Sequence, residues 1–268
     1  MLKQKIGFLG CGNMAAAIIG GIISGGVVPA DLIYAYALHY DALKARADAQ
    51  GYHAVDSLDA LCRSSDVIVL AVKPNVVPQV LAEAGEGLAG KTVISIAAGL
   101  SVERLTSMLP GQCHLLRVMP NTPAMVGAGA TALCSNTNFT EDEKAVAEQI
   151  FGAIGIFEWV PERLMDAVTA VSGSGPAYVF LFIEAMADAG VREGLPRATA
   201  YRLAAQTVLG SGKMMIDTGK HPGLLKDMVC SPAGTTIEAV YALEKGGLRA
   251  AVQDAVRVCA DKSKLMGK

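Results

Sequence analysis

From residue 5 to about residue 160, short runs rich in β-branched residues alternate with segments patterned like helices. That alternation predicts an α/β layer structure on a mainly parallel sheet. Residues 6–9, 32–36, 67–72, 93–96 and 115–119 read as strands, and residues 41–50, 57–63, 76–84 and 101–109 as helices. Ser57 stands where an N-cap belongs, and Thr140-Glu141-Asp142-Glu143 has the capping-box spacing that starts a further helix. After Pro161 the β-rich runs stop. Long helix-forming stretches follow, broken at Gly194-Leu195-Pro196, His221-Pro222-Gly223 and Gly246-Gly247. The pattern divides the chain into residues 1–161 and 162–268. In the last stretch Leu248, Val252, Ala255 and Cys259 form one apolar face against Arg249, Asp254, Arg257 and Asp261. Residues 178–189 are apolar nearly all round, so that helix is expected to be buried in its domain or against another subunit. An oligomer is the economical expectation.

Composition narrows the classes. With 268 residues, 52% hydrophobic and 18% charged, the chain is far from a disordered one and long enough for one large or two ordinary domains. Residues 14–30, the longest apolar stretch, contain Ser24, four glycines and Pro29 and fall short of a membrane span. The first residues lack the long apolar region of a secretion signal, so a cytoplasmic location is expected. A net charge of −2 without a dense Lys/Arg block argues against nucleic acid or an anionic membrane and favours a small-molecule partner. Cys11, Cys62, Cys113, Cys134, Cys230 and Cys259 lie far apart, and no histidine stands at metal-ligand spacing. Reduced, mostly buried thiols and no metal site are expected.

The strongest local motif is Gly10-Cys11-Gly12-Asn13-Met14-Ala15, which follows the first strand and opens a helix in the G-x-G-x-x-G/A pattern. Gly10 permits a tight turn, Gly12 lets backbone approach a pyrophosphate, and Ala15 allows close helix–sheet packing. Free N–H groups at the helix start complete an anion site. Enzymes that use NAD usually place Asp or Glu at the end of the second strand, for the ribose 2′-hydroxyl. Here the residues are Tyr36-Ala37-Leu38-His39. With no carboxylate to repel a 2′-phosphate, NADPH is the favoured cofactor and NADH stays open. His39 reads either as a donor to that phosphate or as an ordinary loop histidine. Lys73, in Ala71-Val72-Lys73-Pro74, ends a strand at the carboxyl edge where ligands gather. It reads as a cofactor neighbour or as a solvated lysine. The small residues of Ser95-Ile96-Ala97-Ala98-Gly99 suit a flat ring passing close to the backbone, or close packing alone.

Two segments of the second half place a turn-rich stretch before a helix. Val171-Ser172-Gly173-Ser174-Gly175-Pro176-Ala177-Tyr178 has Pro176 near the first helical position. In Cys230-Ser231-Pro232-Ala233-Gly234-Thr235-Thr236-Ile237-Glu238, Thr235 and Glu238 have capping-box spacing. Such a helix start, with a second hydroxyl beside the cap, is also a ready carboxylate site.

These two segments join Ile6-Gly7-Phe8-Leu9-Gly10-Cys11-Gly12-Asn13-Met14, Ala71-Val72-Lys73-Pro74, Met119-Pro120-Asn121-Thr122-Pro123 and the run from Leu225-Lys226-Asp227 to Thr236. Through them the chain resembles the pyrroline-5-carboxylate reductases over nearly its whole length. The resemblance implies a Rossmann domain followed by a helical domain that dimerises, with dimers often joined in a larger ring such as a decamer. It implies reduction of 1-pyrroline-5-carboxylate to L-proline with NAD(P)H, the final step of proline biosynthesis. By the same resemblance the cofactor lies along Leu9, Gly10, Cys11, Gly12, Asn13 and Met14, and near Ala37, His39 and Ser57. It continues along Ala71, Val72, Lys73 and Pro74 to Ile96, Ala97, Ala98 and Asn121. The substrate carboxylate would meet the backbone N–H groups of Thr235 and Thr236, with Glu162 against the substrate. The Thr236 hydroxyl, near the imine nitrogen, would be the catalytic group. The chain departs from the family pattern at Ala233, where many relatives have Gly, and at Ala37, where several have Ser beside the 2′-phosphate.

Reducing a cyclic imine needs a hydride over one carbon and a proton on the adjacent nitrogen, which is basic enough to arrive protonated. Positioning then supplies most of the catalysis, which suits a chain where no His or Asp stands out as general acid. A hydroxyacid dehydrogenase would need a Lys or His aimed at a carbonyl oxygen, for which the helical half offers Lys213 and Lys226. A nicotinamide-binding sensor without catalysis is the reading from another class.

Overall fold

One sheet contains β1 (Ile6–Leu9), β2 (Ile33–Tyr36), β3 (His53–Ala54), β4 (Val67–Leu70), β5 (Thr92–Ser95), β6 (His114–Met119), β7 (Gly129–Cys134) and β8 (Gly155–Val160). The structure, a computed structural model, describes residues 1–266. The strands lie in the order β3-β2-β1-β4-β5-β6-β7-β8. Pairing is parallel except between β6 and β7. The five strands expected from the apolar runs form within two residues of their expected bounds, and β3, β7 and β8 are additional.

Helices α1 (Asn13–Ser24), α2 (Tyr40–Gln50), α3 (Leu58–Ser64), α4 (Val77–Ala84), α5 (Val102–Met108) and α6 (Glu141–Gly152) cover the sheet. A parallel strand covered on both faces reads as a nearly continuous apolar run. On β4, Val67 and Val69 enter one core layer and Ile68 and Leu70 the other. The first layer takes Ile18, Ile19 and Ile22 of α1 and Ile150 and Phe151 of α6. The second takes Leu61 of α3, Leu81 of α4 and Leu105 of α5. Helix starts follow the sequence: the Ser57 side chain accepts from Ala60 N at 3.3 Å and caps α3. Thr140 and Glu143 form the full capping box of α6.

Beyond Pro161 come α7 (Met165–Val168), a π-helical turn at Thr169–Gly173, α8 (Gly175–Arg192), α9 (Arg197–Thr218), α10 (Pro222–Val229), α11 (Thr235–Lys245) and α12 (Leu248–Met266). The stretch expected as a turn before Pro176 is thus helical, not turn-like. Pro176 has no N–H to offer the Ser172 carbonyl four residues back. The Asn121 side-chain amide donates to that carbonyl instead, at 3.0 Å.

The α-carbons separate into two compact units: Met1–Ser174 with the chain from Cys259 onward, and Gly175–Val258. The end of α12 belongs to the first unit, where the Ser263 hydroxyl donates to Asp166 Oδ1 at 2.6 Å. The second unit has a small core of Ala187, Ala200 and Ala204, with Ile183, Met186 and Val191 against it. That core leaves α8 largely uncovered in the single chain: Phe180 and Leu181 are 63% and 67% exposed. The helical run Glu162–Arg192 is also long and apolar enough to cross a membrane, by length and composition.

Candidate active site

From β1 the chain passes to β2 and β3 on one side and returns to β4 on the other. The carboxyl ends of β1 and β4 therefore flank the switch point at which open α/β sheets bind ligands. Gly10 N donates to Tyr36 O at 2.9 Å, and Ala71 N to Leu9 O at 2.8 Å, tying the glycine turn to both neighbours. Gly10 has φ +95°, and a Cβ there would lie 2.7 Å from Val72 Cγ1 and 2.8 Å from the Ala71 carbonyl oxygen, so only glycine fits. At Gly12 a Cβ would meet nothing within 4 Å. The space over the turn is open. Gly12 caps α1 without a side-chain bond, and the first turn, with Asn13 and Met14, holds no acidic residue. N–H groups there remain for an anion, so these residues fit a dinucleotide pyrophosphate.

The other expected cofactor residues share this sheet edge. Leu70 of β4 lies beside Ser95 of β5, and Ile96 N donates to Leu70 O at 3.1 Å, so Ala71-Val72-Lys73-Pro74 and Ile96-Ala97-Ala98 leave the sheet together. Lys73 is exposed and Ala97 buried. Ala37 follows β2, and His39 is the N-cap residue of α2 with no side-chain cap bond. The Ser57 hydroxyl oxygen is engaged in capping α3. Buried Asn121 accepts from Ala130 N at 2.9 Å while donating to Ser172 O, so its amide joins the loop after β6 to the π-helical turn. Cys11 is buried, and burial pushes its thiol pKa up, which leaves an unreactive thiol beside the Tyr52 hydroxyl.

Two arginines escaped the sequence reading. The Arg46 guanidinium, from α2, donates to the Cys11 carbonyl oxygen at 3.1 Å, a contact across 35 positions that no local pattern marks. Arg117 is 7% exposed and pairs with Glu162 at 3.1 Å. A charged residue inside the apolar strand run 115–119 was the signal for it. Glu162 Oε1 also accepts from Val102 N at 2.6 Å, so this carboxylate braces the start of α5. It borders a cleft of about 560 Å³ with Val102, Thr106, Leu115 and Asn136, lined by none of the glycine-turn or strand-edge residues.

In the second unit the N-cap of α11 is Gly234, with no side-chain cap bond. The expected capping box of Thr235 and Glu238 does not form, because the helix starts one residue earlier. A Cβ at Gly234 would collide with the Ser231 side chain, and Gly234 N donates to Ser231 O at 3.0 Å. Thr235 and Thr236 are thereby the first two residues of α11, their hydroxyls freed from capping. Ala233 holds φ +57° in the turn that precedes them. An L-residue in that region costs about 1–2 kcal/mol, and glycine gives back about 0.5–1 kcal/mol through unfolded-chain entropy. Ala233 is exposed, so no packing is lost on shortening it. Ala233→Gly is expected to stabilise the chain by about 0.5–1 kcal/mol, read as a rise in thermal midpoint. An unchanged or lower midpoint would contradict the strain.

Residues 162–266 match the family model described as pyrroline-5-carboxylate reductase dimerisation. Residues 5–99 match the one described as NADP oxidoreductase, coenzyme F420-dependent. A pyrroline-5-carboxylate reductase of Escherichia coli (strain K12) is 47% identical over 268 residues, 100% of both chains. The chain belongs to the pyrroline-5-carboxylate reductase family. The fold agrees over its whole length with the pyrroline-5-carboxylate reductase of Coxiella burnetii, at a TM-score of 0.93, 36% identity and 100% coverage of both chains. The Plasmodium falciparum pyrroline carboxylate reductase, solved with NADP bound, gives 0.90 at 36% identity, again with 100% coverage of both. As a pyrroline-5-carboxylate reductase with a dimerisation domain, the protein is a homo-oligomer. The uncovered apolar side of α8 lies within the residues that match the dimerisation family.

Proposed function

We infer that this protein reduces 1-pyrroline-5-carboxylate to L-proline with NADPH, the final step of proline biosynthesis, in the cytoplasm. Its building block is a homodimer of the helical half, and its full assembly a ring of such dimers. The observation that carries the reading is the full-length identity to reductases of this name. The NADP-bound relative from Plasmodium and the absence of a carboxylate in Tyr36-Ala37-Leu38-His39 support NADPH over NADH.

When bound, the nicotinamide supplies the hydride. The chain's own residues do the rest by positioning. The turn Leu9-Gly10-Cys11-Gly12-Asn13-Met14 offers its amides to the pyrophosphate, with Ala37, His39 and Ser57 on the adenosine side. Ala71-Val72-Lys73-Pro74 and Ile96-Ala97-Ala98 border the nicotinamide half, and Asn121 holds the neighbouring loop. The N–H groups of Thr235 and Thr236, at the positive end of α11, hold the substrate carboxylate. The Thr236 hydroxyl accepts the hydrogen of the protonated imine nitrogen and fixes the ring. Glu162 approaches the substrate as the third contact. No protein acid is required, since the nitrogen arrives protonated.

The hydroxyacid dehydrogenase reading finds no support in its lysines: Lys213 is paired with Asp217 at 2.6 Å and Lys226 with Asp227 at 2.7 Å, both on the surface. The deciding assay mixes the protein with pyrroline-5-carboxylate and follows loss of reduced-nicotinamide absorbance, with NADPH and NADH in parallel. Rapid oxidation, faster with NADPH, and equimolar proline are expected. A protein that binds a nicotinamide cofactor and oxidises neither form would refute the reductase reading.

A further inference from the structure

We propose that Arg46 is the residue by which this chain recognises the 2′-phosphate of its cofactor, a role that rests on the nicotinamide-dinucleotide reading above. The end of β2 lacks the carboxylate that would exclude the phosphate, and of Tyr36-Ala37-Leu38-His39 only the His39 imidazole could donate to one from beyond the strand. Ala37 has no hydroxyl, Leu38 is 85% exposed and apolar, and Asp41 in the first turn of α2 presents a like charge. A phosphate bearing nearly two negative charges needs a cation there.

The topology says which half of the cofactor that cation would meet. The sheet order puts β2 on the side of β1 away from β4 and β5. On the reading above the nicotinamide half would pass over the ends of β4 and β5, which would put the adenosine half, with its 2′-phosphate, on the side of β2 and α2. Helical side chains lean toward the N-terminus of their helix. From the second turn of α2, Arg46 reaches back to the glycine turn, where its Nη2 donates to Cys11 O at 3.1 Å.

That bond occupies one of five N–H groups and fixes the fork beside the pyrophosphate turn. Arg46 pairs with no carboxylate among the described residues, whereas its neighbour Lys44 is bound to Asp48 at 3.1 Å. A planar guanidinium with free donors matches phosphate oxygens two at a time, which a lysine does not. The competing role for Arg46 is simply to brace the turn. The two roles separate because NADH and NADPH differ only by the 2′-phosphate.

Dissociation constants for NADPH and NADH, from nicotinamide fluorescence on the intact protein, make the test, with Arg46→Gln, Arg46→Ala and Arg46→Lys as variants. Circular dichroism and the thermal midpoint establish that each variant is folded. Removing charge-assisted bonds to the phosphate is expected to weaken NADPH by about ten- to a hundredfold in the Gln and Ala variants, with NADH held within about twofold. Arg46→Lys should fall between, and the salt dependence of NADPH binding should flatten in the neutral variants. Equal weakening of both cofactors would make Arg46 a brace for the turn and overturn the proposal. So would unchanged NADPH binding, or a wild-type protein that binds NADH as tightly as NADPH. Wild-type protein that binds neither would remove the nicotinamide reading itself, and the proposal with it.

Discussion

Gly12→Val is expected to weaken NADPH binding by at least about a hundredfold while the chain stays folded. The two halves of that expectation come from the same geometry. Gly12 sits at φ −77° and ψ −170°, an extended conformation that valine adopts readily, and a Cβ there meets nothing within 4 Å. The folded chain therefore loses only the difference in N-cap preference, about 1 kcal/mol or less. The isopropyl group, however, fills the space through which a pyrophosphate must approach the amides of α1. Losing two charge-assisted hydrogen bonds at about 1.5–3 kcal/mol each removes two or more orders of magnitude in affinity.

Gly10→Ala is the matched control, because there the backbone itself forbids a side chain. At φ +95° and with the Ala71 carbonyl oxygen 2.8 Å from the added carbon, that change should lower the thermal midpoint before any ligand is added. Fluorescence titration and a thermal melt on both variants suffice. NADPH binding by Gly12→Val within a few-fold of wild type would show that the turn is not the pyrophosphate site.

What the sequence disclosed and what it hid follow from the range of the interactions involved. Strands β1, β2, β4, β5 and β6 were legible because a strand covered on both faces reads as a nearly continuous apolar run, visible in any window of the chain even with Ser95 or Arg117 inside it. β7 was not, since Gly129-Ala130-Thr131-Ala132-Leu133-Cys134 has one β-branched residue and resembles a loop. β3 has only two residues and owes its existence to its pairing with Tyr34 and Ala35. The caps at Ser57 and Thr140 were readable because they close over three residues.

The start of α11 was misjudged because its cap is decided by a turn, not by a side-chain preference. Gly234 closes on Ser231 and serves as the N-cap, so the helix starts one residue earlier and both threonines lie beyond the cap. Within the candidate site the glycine turn was legible to the residue. The contact of Arg46 with the glycine turn was hidden, as was the use of Asn121 to satisfy a carbonyl exposed by Pro176, because both depend on contacts between distant parts of the chain.

Thr236→Val is expected to lower kcat/KM for pyrroline-5-carboxylate by about ten- to a hundredfold, the worth of one hydrogen bond to a charged group. Valine matches threonine in shape and branching. It keeps the backbone N–H at the second position of α11, so the grip on the carboxylate survives and the loss belongs to the hydroxyl. Thr236→Ser, which keeps the hydroxyl, should recover most of the rate. How the loss divides between KM and kcat then identifies what the hydroxyl does. A protonated imine carries its charge before the hydride arrives and loses it as the hydride adds. A hydroxyl that accepts from that N–H therefore binds the starting state at least as well as the transition state. Its removal should appear mainly in KM, by an amount that does not change across the pH range in which the imine is protonated. A hydroxyl that instead delivers a proton would show its loss in kcat, growing as pH rises and the imine arrives neutral. Full turnover and affinity in Thr236→Val would remove Thr236 from the chemistry. The α11 amides would then be left as this segment's whole contribution, a carboxylate anchor that orients the ring without touching its nitrogen.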